Sequence, residues 1–186
     1  MDAQKLKIFQ RVLEEVPEIR YAGDQILRQA ATKVTLAEGL LISKKLEHVL
    51  LRYRAITGFG RGIAAPQIGE SKSVFITYIE DKVQTFINPS IVQKSDTTNF
   101  YKELCMSAGI IAADVERPEW IVLEWMDEHG MQKMERFDGF KARLYQHEVA
   151  HLNGLLNLDE ATPGGIEFVN FDPLQEQLRM NKGSND

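Results

Sequence analysis

The segment His147–Glu148–Val149–Ala150–His151 constrains this chain more than any other part of its sequence. Two histidines four residues apart lie on one face of a helix, so both imidazoles can reach one ion. The glutamate between them points to a neighbouring face, where it can hold a water beside that ion. The segment therefore predicts a helix that carries half of a metal site. Two satisfied histidines on a helix surface are the alternative interpretation.

Cys105 is the natural candidate for a further ligand. A catalytic site of this kind needs three protein ligands and one open position. No histidine follows His151, and Cys105 is the only cysteine among the 186 residues. A thiolate ligand suits ferrous iron, cobalt and nickel as well as zinc. Taken alone, a single cysteine can equally be a small buried hydrophobe, and it excludes an intrachain disulfide framework.

Residues 58–69 contain four glycines and one proline, which indicates a loop with special backbone angles. This loop lacks the Gly-Lys-Ser/Thr of a phosphate-binding loop and the third glycine of a dinucleotide fingerprint. Its small residues let the backbone approach a ligand closely, and Gln67 offers an amide that can donate to an oxyanion. An ordinary tight loop is the alternative.

Hydrophobic periodicity and the order of the predicted elements indicate an α+β fold with helices packed on an antiparallel or mixed sheet. The first predicted helix spans 5–16. The second begins with a capping box formed by Thr35 and Glu38 and ends at Gly58. The third extends from Asp138 or Gly139 to Gly154. Predicted strands form hairpins of 73–79 with 83–87 and of 120–126 with 131–137, and Asn88–Pro89 is predicted to turn the chain. We expect one domain over 1–186, with a polar, frayed tail from about 181.

Charge and hydropathy restrict the function classes. The net charge of −5 and the pI near 5.5 argue against a dedicated nucleic-acid binder. No apolar run approaches the roughly 18 residues that span a bilayer, and the first 16 residues lack the apolar core of a signal peptide. We therefore expect a cytoplasmic protein with no membrane partner.

Taken together, three motifs resemble those of peptide deformylases. They are Gly60-x-Gly62-Ile63-Ala64-Ala65-Pro66-Gln67, Glu103-Leu104-Cys105-Met106-Ser107 and Gln146-His147-Glu148-x-x-His151-Leu152-x-Gly154. Weaker similarities occur at Ile26–Arg28, Asn88–Pro89, Val115–Pro118 and Asp127-x-x-Gly130, so the resemblance covers roughly residues 20–160.

The resemblance implies antiparallel or mixed β-sheets packed around a central helix that carries the histidine pair. It also implies one divalent ion per chain, held by Cys105, His147 and His151 with water as the fourth ligand. Similar enzymes use Fe²⁺ most naturally and also work with Zn²⁺, Ni²⁺ or Co²⁺. The implied reaction is hydrolysis of the N-formyl group from the initiator methionine of new polypeptides. The bound water would be the nucleophile and Glu148 the general acid and base, while the Gln67 amide and the Met106 backbone N–H would stabilise the oxyanion.

The implied substrate is an N-formyl-Met peptide or nascent chain. We expect its backbone to pair near Gly60, Gly62 and Ile63, and its methionine side chain to contact an apolar pocket with Phe140 and Leu144 as walls. The ribosome is a further implied partner. An organelle with bacterial-type translation is the alternative compartment.

Four residues depart from the family pattern: Leu104 for glycine, Gly109 for proline, Ala112 near a frequent arginine, and Ala150 for aspartate. None of these four departures affects a proposed metal ligand or catalytic residue. The departures indicate a divergent member whose substrate preference and efficiency can differ. A paralogue acting on another N-acyl amide and a non-catalytic peptide-binding module are the two alternatives.

Overall fold

A computed structural model describes residues 3–168 of the chain. The helices are α1 (Ala3–Glu15), α2 (Leu36–Thr57) and α3 (Gly139–Leu152). The strands are β1 (Gly62–Ala64), β2 (Val74–Ile79), β3 (Lys82–Lys94), β4 (Thr98–Leu104), β5 (Ile111–Pro118), β6 (Trp120–Met126), β7 (Gln132–Asp138) and β8 (Ala161–Phe168). The expected frayed tail from about 181 lies outside the described residues.

The described strands form two antiparallel sheets. The larger has the order β1-β2-β3-β6-β7 and the smaller the order β4-β5-β8. Helix α3 packs against β1 and β7 of the larger sheet and against β5 of the smaller one. The predicted α+β class, with sheets around the histidine-bearing helix, is therefore confirmed.

Helix α2 begins with the predicted capping box. The Thr35 hydroxyl accepts from the Glu38 backbone N–H at 3.3 Å, and the Glu38 carboxylate accepts from the Thr35 N–H at 2.9 Å. This reciprocal pair satisfies two of the backbone donors that a helix start leaves unpaired. One apolar stripe of α2 then packs into a core with the larger sheet, through Ile42, Leu46, Val49, Leu50 and Tyr53.

Helix α3 has the predicted bounds. It follows Asp138, and Gly154 lies just past its end with a φ of 78°, a left-handed conformation that favours glycine. Because α3 lies between the sheets, polar side chains on it are buried: Arg143, Gln146, His147, Glu148 and His151. Burial of so many polar groups costs free energy unless each has a hydrogen-bond or metal partner. Their concentration on one buried helix therefore indicates that α3 contains the candidate site.

The predicted turn at Asn88–Pro89 is wrong, because β3 continues through it to Lys94. The register against β6 shifts between Ile87 and Ser90, and Asn88 has a φ of 52°. Its side chain accepts from the Val34 N–H at 2.9 Å and donates to the Val34 carbonyl at 2.8 Å. The asparagine thus kinks a continuous strand as a bulge and ties it to the start of α2.

The glycine-rich segment 58–69 is more regular than the predicted loop. It contains β1 and a short 3₁₀-helix, Ala65–Ile68. Strand β1 is an edge of the larger sheet, and β4 is an edge of the smaller sheet. Residues from both strands line one cleft, with α3 alongside. Between residues 3 and 168, no helix is both long and apolar enough to cross a bilayer.

Candidate metal centre

The three predicted ligands meet in the core. Donor atoms of Cys105, His147 and His151 all lie within 4.8 Å of one another, and all three residues are buried. The His151 Nε2 lies 3.1 Å from His147 Nε2 and 3.3 Å from Cys105 Sγ. For ligand bonds of about 2.0–2.3 Å, the edges of a tetrahedron are roughly 3.3–3.6 Å. The spacing therefore fits three ligands of one ion.

Hydrogen bonds on the far side of each imidazole aim its other nitrogen at this centre. The Nδ1 of His147 lies 2.8 Å from Glu103 Oε2, and the Nδ1 of His151 lies 2.9 Å from the Leu155 carbonyl. An Nδ1–H that donates to an oxygen leaves the Nε2 lone pair for a metal. Both rings are thus held in the tautomer that a metal ligand needs.

Electrostatics favour the thiolate at Cys105. Burial raises the pKa of this thiol, but the adjacent His151 and His147 outweigh burial and hold the pKa well below its usual range. Burial lowers the pKa of His147, whereas the contacts with Cys105 and Glu103 raise it well above its ordinary value. A thiolate with two imidazoles is a donor set that suits Fe²⁺, Co²⁺, Ni²⁺ or Zn²⁺, so the residues fit a divalent ion.

Glu148 lies beside this centre without a hydrogen bond at one oxygen. Its side chain is 2% exposed, and Oε2 has no hydrogen-bond partner among the described residues. Burial raises the pKa of Glu148 to about 7, and the neighbouring His147 and His151 oppose that rise. A carboxyl group with a pKa near neutrality can both accept and donate a proton at the pH of a cell.

Gln67 connects the glycine-rich segment to the cysteine. Its Oε1 accepts from the Ala64 N–H at 2.9 Å, which fixes the orientation of the amide. Its Nε2 then lies 3.1 Å from Ser107 Oγ and 3.5 Å from Cys105 Sγ. Met106 begins a 3₁₀-helix, so its backbone N–H has no partner within that helix. Both predicted oxyanion donors thus lie at the centre, and their roles stay predictions.

Four of the five predicted substrate residues line one cleft. Its lining contains Gly60, Gly62, Phe140 and Leu144 together with Gln67, Cys105, Met106, His147 and Glu148. Ile63 is not part of this lining. It is fully buried in the core between α2 and the larger sheet, so its side chain supports the strand from behind.

Three of the four residues that depart from the family pattern have a visible structural setting. Leu104 lies on the cleft wall, opposite the buried Ala112 in the β4–β5 register. Gly109 has a φ of 65°, which proline cannot adopt, and the Phe9 ring lies 2.9 Å from where a Cβ would stand. Ala150 is buried, and nothing in the structure explains its replacement of aspartate.

Sequence reasoning assigned no role to a buried charge network behind His147. Glu103 accepts from Arg117 Nε at 2.6 Å, from Arg143 Nη1 at 2.7 Å and from His147. Arg117 also contacts Glu160 at 2.9 Å. Burial raises the pKa of Glu103, but Arg117 and His147 outweigh it and hold the pKa well below its usual range. One signal was available, because Arg143 lies four residues before His147 on the same helical face.

We expect Glu103→Gln to lower the free energy of unfolding at neutral pH by about 3 kcal/mol, because it removes the anion that the buried Arg143 pairs with and leaves Arg117 with Glu160 alone. A carboxylate whose folded pKa is depressed stabilises above its unfolded pKa, near 4.5, and this contribution is lost as the pH falls through the folded pKa. The difference in the free energy of unfolding between Glu103→Gln and the parent should therefore shrink as the pH falls below about 4.5. Urea unfolding at neutral pH and at about pH 3 measures it.

The exposed Glu128 provides the matched control for this substitution. Glu128→Gln should change the free energy of unfolding by less than about 0.5 kcal/mol. Equal stabilities of Glu103→Gln and the parent protein at neutral pH would contradict the structural role of the network.

Comparison with known proteins agrees with the geometry. A family model described as polypeptide deformylase matches residues 16–165. A peptide deformylase of Pseudothermotoga lettingae is 36% identical over 167 residues, covering 90% of this chain and 95% of that protein. One of Treponema pallidum is 40% identical over 143 residues, covering 76% and 86%.

Solved structures give the same result. The peptide deformylase of Thermotoga maritima has a TM-score of 0.70 at 34% identity, covering 78% of this chain and 97% of that one. The enzyme of Synechococcus elongatus, in complex with actinonin, has a TM-score of 0.69 at 30% identity, covering 89% and 85%. The chain thus shares both sequence and fold with this group of enzymes.

Proposed function

The chain belongs to the peptide deformylase family, metal-dependent hydrolases that remove the formyl group from the initiator methionine, and we propose that Cys105, His147 and His151 hold its divalent ion. One observation carries this assignment: a buried thiolate and two buried imidazoles converge beside the carboxylate of Glu148. Fe²⁺ is the proposed native ion, with Zn²⁺, Ni²⁺ or Co²⁺ able to replace it, because the sulfur and nitrogen donors accept all four.

When bound, the ion would lower the pKa of a coordinated water towards neutrality and polarise the formyl carbonyl. Glu148 accepts the proton of the attacking water and delivers it to the leaving amine of methionine. The unpartnered Oε2 of Glu148 is the atom that takes this proton. The Gln67 Nε2 and the Met106 N–H donate to the oxygen that becomes negatively charged.

The substrate backbone is proposed to lie along β1. Because the Tyr78 N–H donates to the Arg61 carbonyl, the next residue, Gly62, directs its own N–H and carbonyl to the open side of the strand. An extended peptide can therefore add to this edge. Leu104, Phe140 and Leu144 supply apolar contacts for the methionine side chain.

Gly62 also leaves room for the catalytic carboxylate. A Cβ built on it would lie 2.3 Å from Glu148 Oε1, so an alanine would force that carboxyl group to move. We expect Gly62→Ala to lower kcat about 10- to 100-fold, because displacements near 1 Å have effects of that size. Its metal content should stay at the parent level, since no ligand changes. An unchanged kcat would show that Glu148 can shift without loss.

The chain is proposed to act as one domain over 1–186. Its proposed partners are the nascent formyl-methionyl chain and the ribosome, in the cytoplasm or in an organelle with bacterial-type translation. These proposals follow from the family function, because formylated chains emerge only from such ribosomes.

The test of the function is formate release from a formyl-Met peptide by protein purified without oxygen and loaded with iron or nickel. We expect turnover of the formyl peptide and none of the matched acetyl peptide. Turnover of the acetyl peptide alone would assign another acyl group to the site. Binding of the formyl peptide without hydrolysis, whichever metal is loaded, would instead identify the protein as a peptide-binding module.

A further inference from the structure

The turn that follows Cys105 carries one proposed oxyanion donor and ends in a glycine. It is the short 3₁₀-helix Met106–Ala108, followed by Gly109, whose N–H donates to the Met106 carbonyl at 3.1 Å. A proline at position 109, as in the family pattern, would fix its own φ at about −65°. Glycine has more conformational freedom to lose on folding than any other residue. A turn that ends in glycine is therefore held in one conformation mainly by its contacts with the rest of the chain.

Helix α1 supplies such a contact. Phe9, half-buried on α1, places its Cζ and Cε2 atoms 2.9 and 3.0 Å from where a Cβ on Gly109 would stand. The Phe9 ring thus takes the space that a side chain at position 109 would fill. Val12, also on α1 and only 2% exposed, belongs to the same hydrophobic cluster as Met106. The helix therefore lies against the end of the turn and shares a core with its start.

The segment that follows α1 is attached to both proposed oxyanion donors. Two backbone hydrogen bonds of 2.8 Å make this attachment, from the Arg20 N–H to the Gln67 carbonyl and from the Ala22 N–H to the Ser107 carbonyl. Tyr21, the residue between these two N–H groups, packs edge-to-face with Phe9 at a centroid distance of 5.7 Å. The Phe9 ring therefore contacts Gly109 and also the segment that joins the two donors.

The position of α1 in the chain separates it from the rest of the site. It ends at Glu15, just before the residues 16–165 that match the family model. The family pattern therefore assigns no role to Phe9, whereas Gly109 lies inside the matched range and departs from that pattern. In the folded chain these two residues are in contact, although they are far apart in sequence.

We propose that Phe9 is a positioning residue, which acts through Gly109 to hold the Met106 N–H where it donates to the formyl oxygen. This inference rests on the function proposed above. Phe9 is not among the residues that line the cleft, so it acts on the donor and not on the substrate. An oxyanion donor is effective only within about 3 Å of the oxygen that becomes negative. Packing by the Phe9 ring thus replaces the restraint that a proline would give to the turn itself.

The first test measures formate release by Phe9→Ala, loaded with the same metal as the parent. We expect kcat to fall about five- to twentyfold with KM and metal content unchanged, because the donor acts on charge that develops only during the reaction. Loss of a whole oxyanion donor costs roughly 10²- to 10³-fold, and here the N–H is displaced but not removed. Phe9→Leu keeps much of the apolar volume and should lose less. Leu13, 44% exposed on the same helix, is the matched control, and Leu13→Ala should keep the parent kcat.

Amide hydrogen exchange gives a readout that needs neither metal nor turnover. The N–H groups of Ala108 and Gly109 donate to carbonyls of the same turn, so their exchange rates report its opening. We expect Phe9→Ala to accelerate exchange at these two amides about tenfold, while the amides of the β6–β7 hairpin keep their parent rates. A general loss of stability would instead accelerate exchange equally in both regions.

A double-variant cycle tests the contact itself. In Gly109→Ala the new methyl group would stand 2.9 Å from the Phe9 ring, so this variant should also have a lower kcat. If both residues act through one contact, Phe9→Ala should relieve part of that loss. The double variant should therefore be more active than the product of the two single effects predicts.

Three results would overturn the inference and leave the proposed function standing: a parent kcat in Phe9→Ala, equal acceleration of exchange in both regions, or independent effects in the double-variant cycle. Each presupposes a parent protein that releases formate. Absence of turnover by the parent with every metal would instead remove the proposed function, and with it the role of Met106 on which this inference depends.

Discussion

Replacing Glu148 by alanine is expected to lower kcat by about 10²- to 10⁴-fold, the usual contribution of a general acid–base group. The metal content should remain at the parent level, because the residues whose donor atoms cluster are Cys105, His147 and His151 and do not include Glu148. Formate release and metal analysis on the same preparation measure both quantities. A variant that loses activity and keeps its ion would identify Glu148 as the group that moves the proton.

A second variant excludes misfolding as the cause. Glu148→Gln keeps the shape of the side chain and removes its charge, and the parent Oε2 has no hydrogen bond to lose. Its free energy of unfolding should therefore not decrease. Glu135→Gln, at an exposed position on β7, is the control that should leave kcat unchanged. Near-parent activity of Glu148→Ala would exclude the role proposed for this carboxylate.

Replacing His147 by alanine is expected to remove both the metal and the activity. Loss of an outer partner of a ligand typically lowers metal affinity 10- to 100-fold, and loss of a ligand itself should exceed about 100-fold. The substitution also removes the Nδ1–H that Glu103 accepts, so the charge network loses a donor as well. Metal content after dialysis against a chelator should fall from one ion per chain to nearly none.

His129 supplies the control for this experiment. It lies in the turn between β6 and β7, and its side chain is 78% exposed. His129→Ala should keep the full metal content and activity. One tightly held ion in His147→Ala would show that the three-ligand centre is assigned incorrectly, whatever the activity of that variant.

Local sequence signals were sufficient for α2 and α3. The Thr35 and Glu38 capping box, the apolar stripe of α2 and Gly154 depend on hydrogen bonds and backbone angles within a few residues. Such interactions act wherever the rest of the chain lies, so the sequence contains them completely. The predicted hairpin of β6 and β7 is confirmed for the same reason. Its turn is stabilised by Asp127, whose side chain accepts from the backbone N–H groups of the nearby His129 and Met131.

Interactions between distant segments were harder to anticipate. The turn predicted at Asn88 is a bulge because the side chain bonds to Val34, 54 residues away in sequence. The smaller sheet was missed because its strands carry charged residues, such as Arg117, whose partners come from other elements. A hydrophobic pattern in the sequence gives no information about a side-chain partner that becomes a neighbour only in the folded chain.

The sequence by itself determined the family and predicted the three residues whose donor atoms cluster, because residue types, spacing and motif order are properties of the chain alone. Only the tertiary structure decided that Glu103 contacts His147 and two arginines and that Arg61 lies over the Phe140 ring in the cleft. Ion pairs and stacking depend on distances of a few ångströms between groups far apart in sequence. Those distances exist only after the two sheets have closed around α3.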